Sequence, residues 1–138
     1  MNRVYRRLVT SSLILGLTPA LSGCFKDETL TGYGAAGQTW ILQELDGKAF
    51  ASEARLTFPA PRRIAGKTPC NRFSGKQSAP YPWFQAEALA VTRMACPELP
   101  QEARFLEALQ EMREVEVSGP VLILRNEQGR EMLFTAGG

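Results

Sequence analysis

The clearest pattern in the chain is a helical one that begins near Gln101. Apolar residues recur there every three or four positions, which predicts one amphipathic helix with a single apolar stripe. The stripe comprises Phe105, Leu106, Leu109 and Met112. Pro97 and Pro100 stand at its start, where a missing N–H costs little, and Glu102 suits the positive end of the helix dipole. Because the opposite side is mostly acidic, we expect this helix to pack on a protein core rather than on a membrane.

Short segments with strand-like patterns lie on both sides of this helix. Residues 54–58 alternate apolar and polar side chains, as half-buried strands do. The segments with strand character are 39–45, 54–58, 64–67, 83–86, 89–92, 115–117, 121–124 and 131–134. Prolines and a glycine interrupt the stretch 68–82, which predicts a loop. The order of strands, helix and strands predicts an α+β fold in which an antiparallel sheet wraps one helix.

The N-terminus has the composition of an export signal. Three arginines in the first seven residues precede an apolar stretch from Leu8 to Leu21, fourteen residues long. That stretch is too short to span a bilayer, which takes about 20 residues, and is typical of a secretory signal. Residues 21–24, Leu-Ser-Gly-Cys, resemble the bacterial lipobox, so we expect cleavage before Cys24 and acylation of its thiol. The alternative is a secreted protein that is cut nearby and uses Cys24 structurally.

This interpretation divides the chain into three parts. Residues 1–23 are predicted to be the signal peptide, 24–37 a lipidated flexible tether rich in glycine, and 38–135 the folded domain. Two or three acyl chains, palmitate among them, would hold the protein on a membrane, because one chain binds only marginally. Phe25 follows the cysteine, where an Asp would signal inner-membrane retention. We therefore predict an outer-membrane lipoprotein that faces the periplasm.

Charge and composition narrow the classes of function. The chain of 138 residues has a formal charge of +2, but removing residues 1–23 leaves 13 basic against 14 acidic residues. No basic patch then argues for a nucleic-acid partner. Histidine is absent, which excludes Ser-His and Cys-His catalysis and His-ligated zinc. With neither a Gly-rich phosphate loop nor a motif of paired carboxylates, we expect no catalytic residues, no cofactor and no metal.

Two cysteines remain once Cys24 is acylated. Cys70 and Cys96 both lie in loop-like segments of an exported chain, where thiols oxidise, so a disulfide between them is expected. The alternative is a buried pair of free thiols, which behave as small hydrophobes.

The sequence around these cysteines resembles the META domain family, which includes HslJ-like heat-shock lipoproteins. Residues 70–75, Cys-Asn-Arg-Phe-Ser-Gly, and residues 92–97, Thr-Arg-Met-Ala-Cys-Pro, carry the resemblance, which extends over nearly all of 38–134. It implies a small antiparallel sheet like an open or cracked β-barrel, packed on a single α-helix. It also implies an envelope lipoprotein or secreted module, linked in some members to heat shock, novobiocin tolerance and motility. One departure is Pro69, where the family usually has Gly.

The motif residues provide a candidate binding surface. This surface comprises Asn71, Arg72, Thr92 and Arg93. The two arginines could form a cationic pair that binds a carboxylate or phosphate. Alternatively, they bind loop carbonyls or pair with Glu87 or Glu102 and hold the loops in place. Asn71 tolerates a left-handed backbone and suits a tight turn beside Cys70.

The two tryptophans are the largest apolar side chains, and we expect both Trp40 and Trp83 to be core anchors rather than ligand platforms.

The favoured function is a non-enzymatic envelope lipoprotein with a structural, stress-response or partner-binding role. One alternative is a periplasmic inhibitor of a hydrolase such as lysozyme. Another is a carrier or pilot lipoprotein for an apolar ligand or an outer-membrane complex. The expected partners are the membrane, through the lipid, and an envelope protein.

Overall fold

The computed structural model describes Gly23 and residues 26–137. Its strands, in which buried and exposed side chains alternate, pair into one antiparallel sheet. Nine strands and one α-helix form in this part of the chain. Before the helix lie β1 (Thr39–Leu45), β2 (Lys48–Ala49), β3 (Arg55–Thr57), β4 (Arg63–Lys67), β5 (Arg72–Lys76) and β6 (Glu87–Val91). The helix α1 (Leu99–Glu111) is followed by β7 (Glu114–Ser118), β8 (Val121–Arg125) and β9 (Glu131–Gly137).

The strand order explains the shape of the sheet. It runs β6-β5-β4-β3-β1-β9-β8-β7, with β2 paired to β1, so that β6 and β7 are its two ends. A bridge segment, residues 82–84, lies against β7. The Phe84 N–H donates to the Arg113 carbonyl at 2.7 Å, and the Val115 N–H donates to the Pro82 carbonyl at 2.8 Å. The result is an open, barrel-like sheet whose β7 edge is paired with the short, irregular bridge segment.

Large apolar side chains from the sheet and from α1 fill the interior. Phe105, Leu109 and Met112 of the helix stripe are fully buried, as are Trp40 and Phe134 from the sheet. The predicted α+β fold, an antiparallel open-barrel sheet packed on a single helix, is therefore confirmed.

The N-terminal boundary of the domain differs from the prediction. Residues 29–37 are not a tether, because Leu30 lies in a short 3-10 helix, Leu30–Tyr33, and is buried together with Ala35. The Trp40 indole N–H donates to the Ala35 carbonyl at 3.1 Å, which holds this segment on the core. Cys24 and the predicted signal lie outside the described residues, apart from Gly23. No helix in the described part of the chain has the length and apolarity to cross a bilayer.

Two strand predictions before the helix also need correction. The stretch predicted as a loop contains β5, which has one strong strand former, Phe73, but pairs with β4 and β6 on its two sides. Gly75 lies where its register shifts; a Cβ there would come within 2.6 Å of the Glu87 carbonyl oxygen. The predicted strand 83–86 is instead the bridge segment with its single pairing at Trp83.

Candidate functional site

A buried carboxylate joins the first turn of α1 to the loop before β5. Pro100 and Glu102 both lie in that turn, and Glu102 is only 6% exposed. Its Oε2 accepts hydrogen bonds from the Thr68 hydroxyl and, at 3.1 Å, from the Cys70 N–H. Its Oε1 accepts one from the Asn71 side-chain amide at 2.7 Å. The carboxylate of Glu102 thus binds three residues of one loop, Thr68, Cys70 and Asn71.

Asn71 connects the same loop to the segment that follows β6. Its Nδ2 also donates to the Met94 carbonyl at 3.1 Å. Its Oδ1 accepts from the Thr92 hydroxyl at 2.8 Å and from the Met94 N–H at 2.6 Å. Asn71 is only 4% exposed, and both the oxygen and the nitrogen of its side-chain amide are hydrogen-bonded within the protein.

A disulfide joins the same two loops covalently. Cys70 and Cys96 are bonded, and their Cα atoms lie 5.7 Å apart, which confirms the predicted pairing. We call the whole group the motif cluster, which comprises Thr68, Cys70, Asn71, Thr92, Met94, Cys96 and Glu102. Within the described residues, every buried side-chain nitrogen and oxygen has a hydrogen-bond partner.

The hydrogen bonds determine the charge state of Glu102. Burial by itself raises the pKa of this carboxyl, but the hydrogen bonds from Thr68, Asn71 and the Cys70 N–H outweigh it and hold the pKa below its ordinary value. The ionised form is the one that the motif cluster stabilises, and the positive end of α1 favours it as well.

Pro69 fits this loop, although the motif that the sequence resembles usually has Gly there. The Thr68 N–H donates to the Asn71 carbonyl at 2.8 Å, and the Asn71 N–H returns a bond to the Thr68 hydroxyl at 2.9 Å. Pro69 lies inside this bend, where proline's fixed φ and missing N–H are tolerated.

The four residues of the candidate binding surface separate into two kinds. Asn71 is buried, and its backbone does not use the left-handed region that asparagine tolerates, since the non-glycine residues with positive φ are Asp46, Arg62 and Ala88 in the described part. The Thr92 hydroxyl serves Asn71 and also accepts from the Arg72 N–H at 3.1 Å. These two residues organise the loops, Asn71 from the interior and Thr92 from an exposed position.

Arg72 and Arg93 are exposed. The structure does not show the alternative in which their side chains bind loop carbonyls or pair with Glu87 or Glu102. Glu102 is occupied by the loop, and Glu87 lies opposite Lys76 in the sheet. Among the described residues, neither guanidinium group makes a hydrogen bond or an ion pair. They remain available to a ligand, but the structure does not show them as a pair.

The prediction that Trp83 is a core anchor is wrong. Trp40 is completely buried, as predicted, whereas Trp83 is 55% exposed. It lines a groove of about 310 Å³ between the bridge segment and β7, next to Tyr81 and Arg125.

One group of side chains within the described residues has the composition of a metal site. The sulfurs of Cys70 and Cys96 and a carboxylate oxygen of Glu98 lie within 4.8 Å of one another. Both sulfurs are used in the disulfide, and a metal needs thiolates, so this group does not suit a metal ion.

Sequence reasoning missed Thr68, and it considered Glu102 only at the helix dipole or as an ion-pair partner of the two arginines. The contacts of Glu102 with Thr68 and Asn71 span more than 30 residues, a distance over which no local pattern signals pairing.

Comparison with known proteins agrees with this architecture. A protein solved by NMR is 27% identical, with a TM-score of 0.57, over 71% of this chain and 87% of that one. A protein from Burkholderia xenovorans, also solved by NMR, is 22% identical, with a TM-score of 0.63, over 95% and 98%. A DUF4847 family protein from Bacteroides vulgatus is 16% identical, with a TM-score of 0.58, over 76% and 96%. The last two show the fold alone.

No curated protein matches the sequence. The family model of the META domain matches residues 29–137, which begin where the structure begins to pack against the core. The chain belongs to the META domain family.

Proposed function

We propose that this protein is a non-enzymatic envelope lipoprotein, anchored through Cys24 in the outer membrane, whose META domain acts by binding a partner. The observation that carries the proposal is that the motif residues stabilise the loops of the domain. The polar groups of Thr68, Asn71 and Glu102 hydrogen-bond one another across the loops. Residues engaged in this way stabilise a scaffold, and they leave the exposed surface for recognition.

The length of the tether supports a role close to the membrane. Because burial begins at Thr29, the tether shortens to residues 24–28, which is five residues instead of the fourteen that the sequence suggested. Five residues reach about 17 Å when fully extended. A lipid on Cys24 would therefore keep the domain at the surface of the bilayer, with its partner in the same layer of the envelope.

The proposal includes a stress-response role, because some members of the META domain family are linked to heat shock and novobiocin tolerance. A domain closed by a disulfide and a buried carboxylate suits a protein that must stay folded at elevated temperature. We do not favour the carrier alternative, because aromatic and aliphatic side chains such as Trp40, Phe84 and Phe105 fill the interior. An apolar ligand would have to displace them.

The anchor is tested by metabolic labelling with an alkyne analogue of palmitate, followed by membrane fractionation. The wild-type chain should be labelled and should sediment with the outer membrane. The variant Cys24→Ser should be unlabelled and should be found with its signal uncut or in the soluble periplasm. Equal labelling of the two chains, or no labelling of either, would remove the anchor from the proposal.

The role is tested in a strain that lacks the protein, grown at elevated temperature or with novobiocin. The wild-type chain should restore growth, and Cys24→Ser should not. If the protein acts by binding, protection should rise with its amount until the partner is saturated. Turnover of a periplasmic substrate that is lost in Arg72→Gln or Arg93→Gln would show an enzyme instead.

A further inference from the structure

Three basic residues lie side by side across three neighbouring strands. Arg55 of β3 is the direct register partner of Lys67 of β4, and Lys67 is the register partner of Arg72 of β5. All three residues are exposed. Like charges directly opposite each other destabilise a sheet, so this row, the cation ladder, has a cost for folding.

The cation ladder is only partly neutralised by the protein. Glu53 pairs with Arg55 at 2.9 Å and with Lys67 at 3.3 Å. These two cations hold the pKa of Glu53 below its ordinary value, so Glu53 is ionised at neutral pH. Arg72 has no ion-pair partner among the described residues. Three cations against one carboxylate leave a surplus of two positive charges within the cation ladder.

A shallow groove lies along the cation ladder. Its volume is about 390 Å³, and Arg55, Lys67 and Arg72 line it together with Thr39, Thr57 and Ala65. Ala65 is small, which lets a ligand approach the strands. The hydroxyl groups of Thr39 and Thr57 add polar character beside the cations. The groove thus combines surplus charge, a planar guanidinium fork and room for a compact group.

We propose that the groove along Arg55, Lys67 and Arg72 binds a phosphate group. Guanidinium groups bind phosphate oxygens through two parallel N–H bonds, and a lysine adds a point charge. The phosphate belongs to a soluble phosphate compound or to the headgroup of an anionic phospholipid. This site goes beyond the proposed lipid anchor and does not depend on acylation of Cys24.

The first experiment titrates the full chain with inorganic pyrophosphate and follows backbone amide shifts by NMR. We expect shifts centred on the ends of β3, β4 and β5 nearest the cation ladder. Arg72→Gln should weaken binding about 5-fold or more, and Lys67→Gln should weaken it by a similar factor. The matched control is Lys76→Gln on the same strand, which removes an exposed charge that faces Glu87; it should change binding by less than about 2-fold.

A second measurement separates binding from folding. Because Arg72→Gln relieves repulsion within the cation ladder, it should leave the melting temperature unchanged or raise it. Pyrophosphate should raise the melting temperature of the wild-type chain more than that of the variant. An equal rise in both, or an equal loss of binding in Lys76→Gln, would overturn the proposal, since unspecific charge effects would then explain the data.

Vesicles identify the source of the phosphate. The full chain with Cys24→Ser is mixed with vesicles of phosphatidylcholine, with and without phosphatidylglycerol. Binding that requires phosphatidylglycerol and is lost in Arg72→Gln assigns the site to a lipid headgroup. Binding of pyrophosphate without binding of vesicles assigns it to a soluble compound. Binding of neither probe contradicts the proposal.

Discussion

The motif cluster and the bridge segment both join parts of the chain that are distant in sequence, but they do so with different interactions. The motif cluster uses a disulfide, a buried ionised carboxylate and the amide of Asn71. The bridge segment uses two backbone hydrogen bonds and one buried ring, that of Phe84, while its Trp83 is 55% exposed. Stability in a fold is not uniform, and regions with few buried contacts open first. We infer that the domain is held firmly at the motif loops and opens at the bridge segment.

Removal of the disulfide should have the largest effect on the comparison. Cys70→Ala combined with Cys96→Ala opens a loop whose ends are 26 residues apart. The chain-entropy model gives a loss of about 3.5 kcal/mol in the free energy of unfolding. Urea unfolding of the wild-type chain, with and without a reducing agent, provides the control. A loss below about 1 kcal/mol would mean that the noncovalent contacts alone hold the loops.

Glu102→Gln should have the next largest effect. Each oxygen of this carboxylate accepts hydrogen bonds, so the amide nitrogen of a glutamine must face a donor, either the Asn71 amide or the Cys70 N–H. We expect a loss of about 2–3 kcal/mol in the free energy of unfolding. Glu107→Gln, an exposed carboxylate on the same helix, is the matched control and should change it by less than about 0.5 kcal/mol. Equal effects in the two variants would contradict the importance of the motif cluster.

Acid should remove the same contribution without a mutation. The pKa of Glu102 is lower in the folded protein than in the unfolded chain, where a glutamate titrates near about 4.3. Its contribution is therefore complete above that value and is lost as the pH falls through the lower, folded pKa. The gap in stability between the wild-type chain and Glu102→Gln should narrow over this interval. A gap that stays constant down to pH values below the folded pKa would exclude an ionised Glu102.

Trp83→Ala should have the smallest effect, within about 1 kcal/mol, because the side chain is already half in water. Hydrogen exchange provides the more sensitive measurement. The amides of Phe84 and Val115, which bond across the bridge segment, should exchange faster than those of Cys70 and Met94 in the motif cluster. Similar protection at all four amides would remove the distinction between the two regions.

The same distinction explains how much of the fold the sequence predicts. The helix α1 and the strand β1 have dense local patterns, and both were found close to their observed limits. The strand β5 was missed because its pairing with β4 and β6, rather than its composition, makes it a strand.

The candidate site was predictable to a similar extent. The cysteine motifs identified the loops that meet, but not the contact of Glu102 with Asn71. The cation ladder depends on strand register: Arg55 and Lys67 are twelve residues apart in sequence, and only the pairing of β3 with β4 brings them together.

The position of Glu102 also bears on the order of events when the chain first folds in an oxidising compartment. Its carboxylate holds the backbone of Cys70, while Asn71 holds Met94, two residues before Cys96. A chain that forms these hydrogen bonds while still reduced brings its two thiols together, because the same contacts that stabilise the finished domain give each sulfur a high local concentration of the other. In such a chain, oxidation would join two cysteines that the hydrogen bonds of Glu102 and Asn71 already hold close together.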